Sequence, residues 1–309
     1  MWTFLVEIIF QVMLPIFVLL VAGALLHRKF SFHLSSFSKL LTYFFLPVVV
    51  FVNISNSNLD ASLLVEIGGF LMIQFVILAS LSWGMVKLFK VDPKLAPTFQ
   101  NSIVLMNSGN FGLPVSQLVF AGNPLGISVQ VIVLMFQNLI TYTYGVIISA
   151  STRSTGFWRN LSELFKTPII YALVLGLLFY QMPWELPTFI QTPMQQVSNG
   201  FIALALVVLG AQIAYPTLKQ FSFLFFVSIF ARLIAAPLIG LGIIWVMGLD
   251  GTVAQGLLIA SSFPMSRNSA LFALEYDNYP DYAAQAVLVS TIASCFTVTF
   301  FIYLSQMLF

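Results

Sequence analysis

The sequence consists of apolar segments that are each about long enough to cross a lipid bilayer as a helix. They run roughly through residues 4–26, 36–55, 63–87, 96–121, 126–150, 167–182, 193–214, 221–247, 252–275 and 283–308. A transmembrane helix needs about 20 apolar residues, and these segments are continuous runs rather than the alternating pattern of a barrel strand. With 60% hydrophobic and 7% charged residues, the chain is predicted to be an all-α integral membrane protein. We number its ten expected transmembrane helices spans 1 to 10.

Basic residues separate the loops into two classes. Ten of the twelve lie in or beside the loops between spans 1 and 2, 3 and 4, 5 and 6, and 7 and 8: Arg28, Lys29, Lys39, Lys87, Lys90, Lys94, Arg153, Arg159, Lys166 and Lys219. The opposite loops carry Asp60, Glu66, Glu185 and Asp250 and neither Lys nor Arg. Because basic loops stay in the cytoplasm, both termini are expected to be extracytoplasmic, in the cell (inner or plasma) membrane.

Two of the segments contain residues that should open a helix. Span 4 is interrupted by Asn107-Ser-Gly-Asn-Phe-Gly-Leu-Pro114 and span 9 by Phe263-Pro-Met-Ser-Arg-Asn-Ser269. Proline removes a backbone donor and glycine disfavours a helix. Unsatisfied backbone is costly in hydrocarbon, so a break at that depth survives only where it is buried in protein or lines a wet cavity. Interrupted spans at corresponding positions of two halves indicate the binding site of a transporter.

The two halves of the chain resemble each other weakly and in the same order. The matched residues are Pro15 and Gly23 with Pro168 and Gly176, at an offset of 153, and Gln100 and Gln130 with Gln255 and Gln285, at an offset of 155. A repeated unit of five spans is odd-numbered, so the second copy is inserted upside down. The predicted organisation is one repeat at 1–150, a cytoplasmic connection at 151–166 and an inverted repeat at 167–309, with spans 4 and 9 crossing near the midplane.

The chemistry of a broken helix suggests what each break binds. The piece after the break begins with free N–H groups that favour anions, and the piece before it ends in carbonyls that can hold a cation. The residues expected to bind substrate are Asn107, Gly109, Asn110, Gly112, Pro114, Pro264, Arg267 and Asn268 at the breaks, with Asn53 in span 2 and Gln137, Asn138 and Tyr142 in span 5. The candidates for binding a coupling ion are Gln100, Ser108, Gln255 and Ser266. For Asn53 and the polar residues of span 5, interhelical hydrogen bonding is an equal alternative to substrate contact.

Two arginines lie within spans rather than in loops. Arg267, in the second break, is costly at membrane depth, and its planar fork suits a carboxylate or phosphate. Its alternatives are a partner for backbone carbonyls or a side chain that reaches the interface. For Arg232, a scaffold salt bridge or a side chain reaching the cytoplasm is expected rather than a substrate role. Glu7, Glu66 and Glu275 lie toward the ends of their spans, so the site is predicted to be electropositive and its substrate to be anionic.

The sequence predicts neither a cofactor nor a metal site, because His27 and His33 share one loop without Cys or carboxylate neighbours. The basic residues are scattered among loops, so no nucleic-acid partner is expected. The expected partners are a small organic anion and the lipid bilayer. Coupling to Na⁺, coupling to H⁺ and no coupling all stay open.

Three segments resemble the auxin efflux carrier family, which includes the plant PIN-FORMED auxin exporters and bacterial malonate transporters. They are Asn107–Pro114, Lys166–Tyr171 and Phe272–Pro280. The resemblance implies the fold shared with bile-acid symporters and sodium/proton antiporters. It further implies a homodimer in which a transport domain (spans 3–5 and 8–10) moves past a scaffold (spans 1, 2, 6 and 7) like an elevator. It also implies that Asn107 or Asn110 contacts a substrate carboxylate and that Tyr142 lies nearby.

The sequence departs from the plant pattern in two places. The long central loop is reduced to about 151–167, and span 9 carries Ser266-Arg267-Asn268 where the plant pattern is less polar and lacks this arginine. The departure in span 9 favours a smaller, more highly charged anion than auxin, such as a dicarboxylate.

The leading hypothesis is a secondary transporter of a small organic anion that works by alternating access. The alternatives are a membrane sensor or receptor that binds the ligand without moving it, and a channel. An intramembrane enzyme is not expected, since the spans show no His/Asp or Ser/Lys dyad and no metal cluster. The sequence leaves open the exact substrate, the direction of transport, the coupling ion and the oligomeric state.

Overall fold

The computed structural model describes residues 10, 14–56, 61–150, 168–182, 186–212, 214 and 222–309, which fold almost entirely into helices and contain no β-strand. In chain order, the helices are α1 (Leu14–Phe30), α2 (Leu34–Ser55), α3 (Ala61–Leu88), α4 (Ala96–Val104), α5 (Leu113–Val119), α6 (Pro124–Ala150), α7 (Pro168–Tyr180), α8 (Thr188–Gln212), α9 (Phe223–Met247), α10 (Gly251–Ser261), α11 (Arg267–Glu275) and α12 (Pro280–Leu308). The predicted connection at 151–166 lies outside the described residues. The all-α class is confirmed for the part of the chain that is described.

Six of these helices are long and apolar enough to cross a membrane, namely α2, α3, α6, α8, α9 and α12. Large apolar side chains such as Val246 and Phe296 lie exposed on them, as expected of a surface in contact with lipid. The chain is therefore a multi-pass membrane protein. The other predicted spans correspond to α1, to the 13-residue α7 and to the pairs α4 with α5 and α10 with α11. The count of ten spans stays a prediction.

Spans 4 and 9 are both interrupted, as the polar residues within them predict. After α4, Leu105 adopts an extended conformation, with φ −87° and ψ 123°. The extended residues meet those that follow α10 in a short antiparallel bridge between Met106 and Met265. Across it, the Asn107 N–H donates to the Pro264 carbonyl (2.8 Å) and the Ser266 N–H donates to the Leu105 carbonyl (2.9 Å). Each break thus satisfies backbone groups of the other, and we call this bridge the crossing.

Glycines allow two pairs of helices to approach closely. A Cβ atom added to Gly23 of α1 would lie 2.0 Å from the Val207 carbonyl oxygen of α8, and one added to Gly210 of α8 would lie 2.0 Å from that of Leu20. Gly176 of α7 packs less tightly against α2, where an added Cβ would lie 3.1 Å from the Ile54 side chain. The largest apolar cluster of the described residues surrounds the crossing and includes residues of α1, α3, α8, α9, α10 and α12.

Candidate functional site

A cavity of about 110 Å³ lies at the crossing. It is bounded by α2, α6 and α7 and by the first residues after each break. Its lining residues are Thr42, Leu46, Met106, Asn107, Ser108, Gly109, Asn110, Leu134, Gln137, Asn138, Thr141, Tyr142, Ile169, Ser266, Arg267 and Asn268. Apart from a few aliphatic side chains, the wall is polar.

Turns of π-helix place several of these residues in the wall. One turn lies within α2 (Leu41–Phe45), one within α6 (Thr141–Gly145), and a third, Ser108–Gly112, leads into α5. Each of these turns contributes at least one residue to the cavity lining. Such single π-turns within α-helices are rare and are found frequently at functional sites.

The first break presents a buried amide to the cavity. The Gly112 N–H donates to the Asn107 carbonyl (2.9 Å), and Gln130 Nε2 donates to the Ser108 carbonyl (3.1 Å), so the backbone of the break is fixed. The Asn107 side chain is 5% exposed, and its Nδ2 has no hydrogen-bond partner among the described residues. A buried donor left without a partner costs about 1–3 kcal/mol. Asn107 lines the cavity, and a ligand oxygen that reached Nδ2 from there would satisfy this donor.

The second break brings the N-terminus of α11 to the same cavity. Ser266 caps the helix by accepting from the Asn268 N–H (3.2 Å), and the Met265 N–H donates to Ser290 Oγ of α12 (3.2 Å). The first N–H groups of a helix have no partner within that helix and carry partial positive charge. Two chain segments thus begin a helix at the cavity, and both favour an anion there.

Arg267 is the one charged side chain among the described residues that line the cavity. Its Nη1 donates to Ser38 Oγ of α2 (3.0 Å), which is the single hydrogen bond that the guanidinium makes to the described residues. The expected alternative, a bond to backbone carbonyls, is not among these contacts. A guanidinium has five N–H donors, so most of its capacity is left for a ligand. The described wall of the cavity is electropositive, because it contains this guanidinium and no carboxylate.

The structure brings most of the predicted residues together. Those lining the cavity are Asn107, Ser108, Gly109, Asn110, Gln137, Asn138, Tyr142, Ser266, Arg267 and Asn268. Those outside the lining are Asn53, Gln100, Gly112, Pro114, Gln255 and Pro264. Asn53 donates from Nδ2 to the Val49 carbonyl in its own helix (2.7 Å), and Pro264 contributes its carbonyl to the crossing. Gln100 and Gln255 lie in α4 and α10, before the breaks, and do not share the cavity with the two serines predicted to act with them.

Sequence reasoning missed the residues that come from α2 and α7. Thr42 and Leu46 of α2 and Ile169 of α7 line the cavity, and Ser38 accepts from Arg267. A single hydroxyl in an apolar span carries little signal. Ile169 could have been found, because it follows the proline that matches Pro15 in the repeat.

Arg232 contradicts its predicted role. Its side chain is 1% exposed, so it does not reach the cytoplasm. No carboxylate of the described residues lies within ion-pair distance of it. Its Nη1 donates to the Ile103 carbonyl (3.1 Å) and its Nη2 to the Ser261 carbonyl. Each broken helix leaves unpaired carbonyls at its end, and these carbonyls offset the charge of Arg232 in place of a carboxylate. The sequence did not indicate that the ends of the broken helices lie near span 8.

Comparison with known proteins supports a carrier. A family model described as membrane transport protein matches residues 8–159 and again residues 157–302. The chain is also similar to the uncharacterized transporter YfdV of Escherichia coli K12, with 23% identity over 314 residues, covering 96% of this chain and 97% of that protein. The protein of the same name from Shigella flexneri matches to the same extent. The resemblance to a membrane carrier family is thereby confirmed.

Proposed function

The chain belongs to the membrane transport protein family, and from this premise we propose that it is a secondary transporter of a small carboxylate or dicarboxylate anion. The cavity at the crossing is the proposed binding site, with Asn107, Asn110, Arg267 and the two helix N-termini as the groups that hold the anion. Membership of a transporter family also speaks against an enzymatic function.

The observation that carries this proposal is the unpartnered Nδ2 of Asn107. Asn107 is 5% exposed, and its Nδ2 has no acceptor among the described residues; such a donor is costly, and an oxyanion that reached it from the cavity would remove that cost. Arg267 provides the counter-charge, and its fork can bind a carboxylate through two parallel hydrogen bonds. No carboxylate is present among the described residues of the wall.

The size of the cavity supports a compact substrate. At about 110 Å³, it is smaller than the roughly 150 Å³ cavity that accepts a benzene molecule. A carboxylate of three or four carbons fits this space better than an indole-bearing acid does. The polar wall agrees with this, since bulky aromatic substrates are usually held by apolar and aromatic side chains.

We further propose the ten-span, inverted-repeat architecture in the cell membrane, with both termini extracytoplasmic and spans 1, 2, 6 and 7 as the scaffold of a homodimer. Helix packing supports the repeat. Gly23 of span 1 packs against span 7, and its repeat counterpart Gly176 of span 6 packs against Ile54 of span 2, at 3.1 Å from an added Cβ. Replacing span 1 by span 6 and span 7 by span 2 converts the first contact into the second, as a repeat of five spans requires.

The position of the cavity supports an elevator mechanism. Thr42, Leu46 and Ile169 of the proposed scaffold form one side of the wall, and the breaks and α6 form the other. A substrate held mainly by the crossing would therefore move with the transport domain while α2 and α7 stay fixed. The Arg267–Ser38 hydrogen bond joins the two sides and must break during such a movement.

Thermal unfolding of the purified protein in detergent tests the binding site. Mono- and dicarboxylates of increasing length are added one at a time, and a bound anion at about 100 times its Kd should stabilise the protein by about 2.7 kcal/mol. Arg267→Ala should abolish the shift, whereas Arg267→Lys keeps the charge and should weaken it. An Arg267→Ala protein that binds as tightly as the wild type contradicts the proposed role.

Counterflow in proteoliposomes tests transport itself. A carrier loaded with unlabelled anion should accumulate labelled anion from outside, and a channel should not. Stabilisation by an anion without any flux would favour the alternative of a membrane sensor.

A further inference from the structure

Arg232 lies where the two broken helices end. It belongs to the π-helical turn Ala231–Ala235 within α9, and its side chain is almost completely buried. Nη1 donates to the carbonyl of Ile103, one residue before the end of α4, and Nη2 donates to that of Ser261, the last residue of α10. One guanidinium therefore bridges the C-terminal ends of both half-helices.

Neighbouring carbonyls at these ends have other partners. The Asn101 carbonyl accepts from the Leu105 N–H, and the Ala260 carbonyl accepts from the Phe263 N–H. The Ile103 and Ser261 carbonyls receive the guanidinium instead. Since the C-terminus of a helix carries partial negative charge, two such ends that face each other form a site that favours a cation.

The charge of Arg232 is offset by backbone rather than by a carboxylate. Ion-pair distance to a carboxylate is not reached within the described chain, and Nε has no hydrogen-bond partner there. A small cavity of about 20 Å³ lies beside the guanidinium, and it shares Met106 and Gln137 with the wall of the larger cavity. The positive charge thus lies beside a small cavity that adjoins the proposed anion site.

We propose that Arg232 is a built-in cation that occupies the place where a transporter with broken helices would otherwise hold a coupling Na⁺. Half-helix C-termini and unwound carbonyls are the groups that coordinate Na⁺ in such carriers, and here a side chain already holds them. Arginine keeps its proton under all ordinary conditions, so this charge does not enter and leave during a transport cycle. The inference rests on the proposed function and adds that anion binding and transport are independent of Na⁺.

Thermal unfolding in matched salts tests the inference without requiring transport. The midpoint is measured for the wild type, Arg232→Ala and Arg232→Lys in NaCl, LiCl and choline chloride at equal ionic strength. The midpoint of the wild type should be the same in all three salts, and so should the midpoint of Arg232→Lys. Arg232→Ala should unfold at a lower temperature, and Na⁺ should raise its midpoint relative to choline, because the freed carbonyls and the enlarged cavity can accept the ion.

A merely structural arginine would lower the midpoint of Arg232→Ala equally in all salts. Ser228→Ala is the matched control, since it removes a buried hydroxyl of α9 whose hydrogen bonds within the described residues go to the Phe225 carbonyl and Tyr282 rather than to the crossing. It should show no Na⁺-specific shift. A folded Arg232→Ala protein without a Na⁺ response overturns the inference, and so does a wild-type protein that Na⁺ stabilises specifically.

The functional arm compares anion uptake into proteoliposomes in NaCl and in choline chloride. Equal rates support the inference, whereas uptake that requires Na⁺ overturns it even if Arg232→Ala does not fold. If the protein neither binds nor takes up an anion, the proposed function is refuted. The inference on Arg232 would still be tested, because the salt dependence of unfolding is measured without an anion substrate.

Discussion

Gly112 should be far less tolerant of alanine than Gly109, although both lie in the same π-helical turn. A Cβ added at Gly112 would lie 2.4 Å from Cε2 of Phe263, against about 3.5–4.0 Å for a favourable carbon contact. The ring of Phe263 is fully buried and meets the ring of Phe111 edge to face, with centroids 6.0 Å apart, so it has little room to turn. Overpacking of this kind costs about 1–3 kcal/mol.

Gly109→Ala provides the matched control. Its added Cβ would have Leu134 Cδ1 as its nearest neighbour, at the ordinary distance of 3.4 Å. The gain in helix propensity from glycine to alanine, up to about 1 kcal/mol, applies to both variants and cancels in their comparison. The free energy of unfolding of Gly112→Ala should therefore fall below that of Gly109→Ala by about 1–3 kcal/mol.

Both variants should be purified in one detergent and unfolded thermally side by side with the wild type. The midpoint of Gly112→Ala should fall below the wild-type value, and that of Gly109→Ala should equal the wild-type value or lie slightly above it. Equal midpoints for the two variants would refute the close packing of the first break on Phe263, and with it the geometry of the crossing.

Three further predictions concern other parts of the molecule. Asn107→Ala should raise the free energy of unfolding by about 1–3 kcal/mol in the absence of ligand, because it removes an unsatisfied buried donor. In the same thermal assay, carboxylates should no longer stabilise the variant. An Asn107→Ala protein that carboxylates still stabilise contradicts the proposed site. Gly23→Ala should lower the unfolding midpoint strongly by forcing α1 away from α8, whereas Gly242→Ala, with no heavy atom within 4 Å of its added Cβ, should not. Lys94→Ala should change the free energy of unfolding by no more than about 1 kcal/mol, because the pair that Lys94 forms with Asp277 at 2.8 Å is largely exposed; a larger loss would show that this pair holds the end of α11 in place.

The breaks themselves could be predicted from sequence because their cause is local. Glycine, proline and asparagine disfavour a helix wherever they occur, so Asn107–Pro114 and the residues around Pro264 mark interruptions without any knowledge of the fold. How the breaks meet is a tertiary matter. The pairing of Asn107 with Pro264 and of Ser266 with Leu105 depends on backbone atoms, which leave no trace in side-chain identity.

The far wall of the cavity could not be predicted for a related reason. Thr42 and Leu46 come from an apolar span whose pattern is the same whether a residue faces lipid, another helix or a cavity. The π-helical turn that presents Thr42 has no glycine or proline within it. Only the packing of α2 beside the crossing makes these residues part of the site.

The two arginines that violate the positive-inside pattern differ in how their charge is compensated, and their contacts show the difference. Both are costly at membrane depth, so each needs compensation. Arg232 receives it from the protein, through two carbonyls at the ends of two helices, and is buried completely. Arg267 receives one serine hydroxyl and faces a cavity whose described residues include no acidic group. The compensation that Arg267 lacks among the described residues is what an anionic substrate would bring, and this difference from Arg232 supports the proposed role of Arg267 in binding.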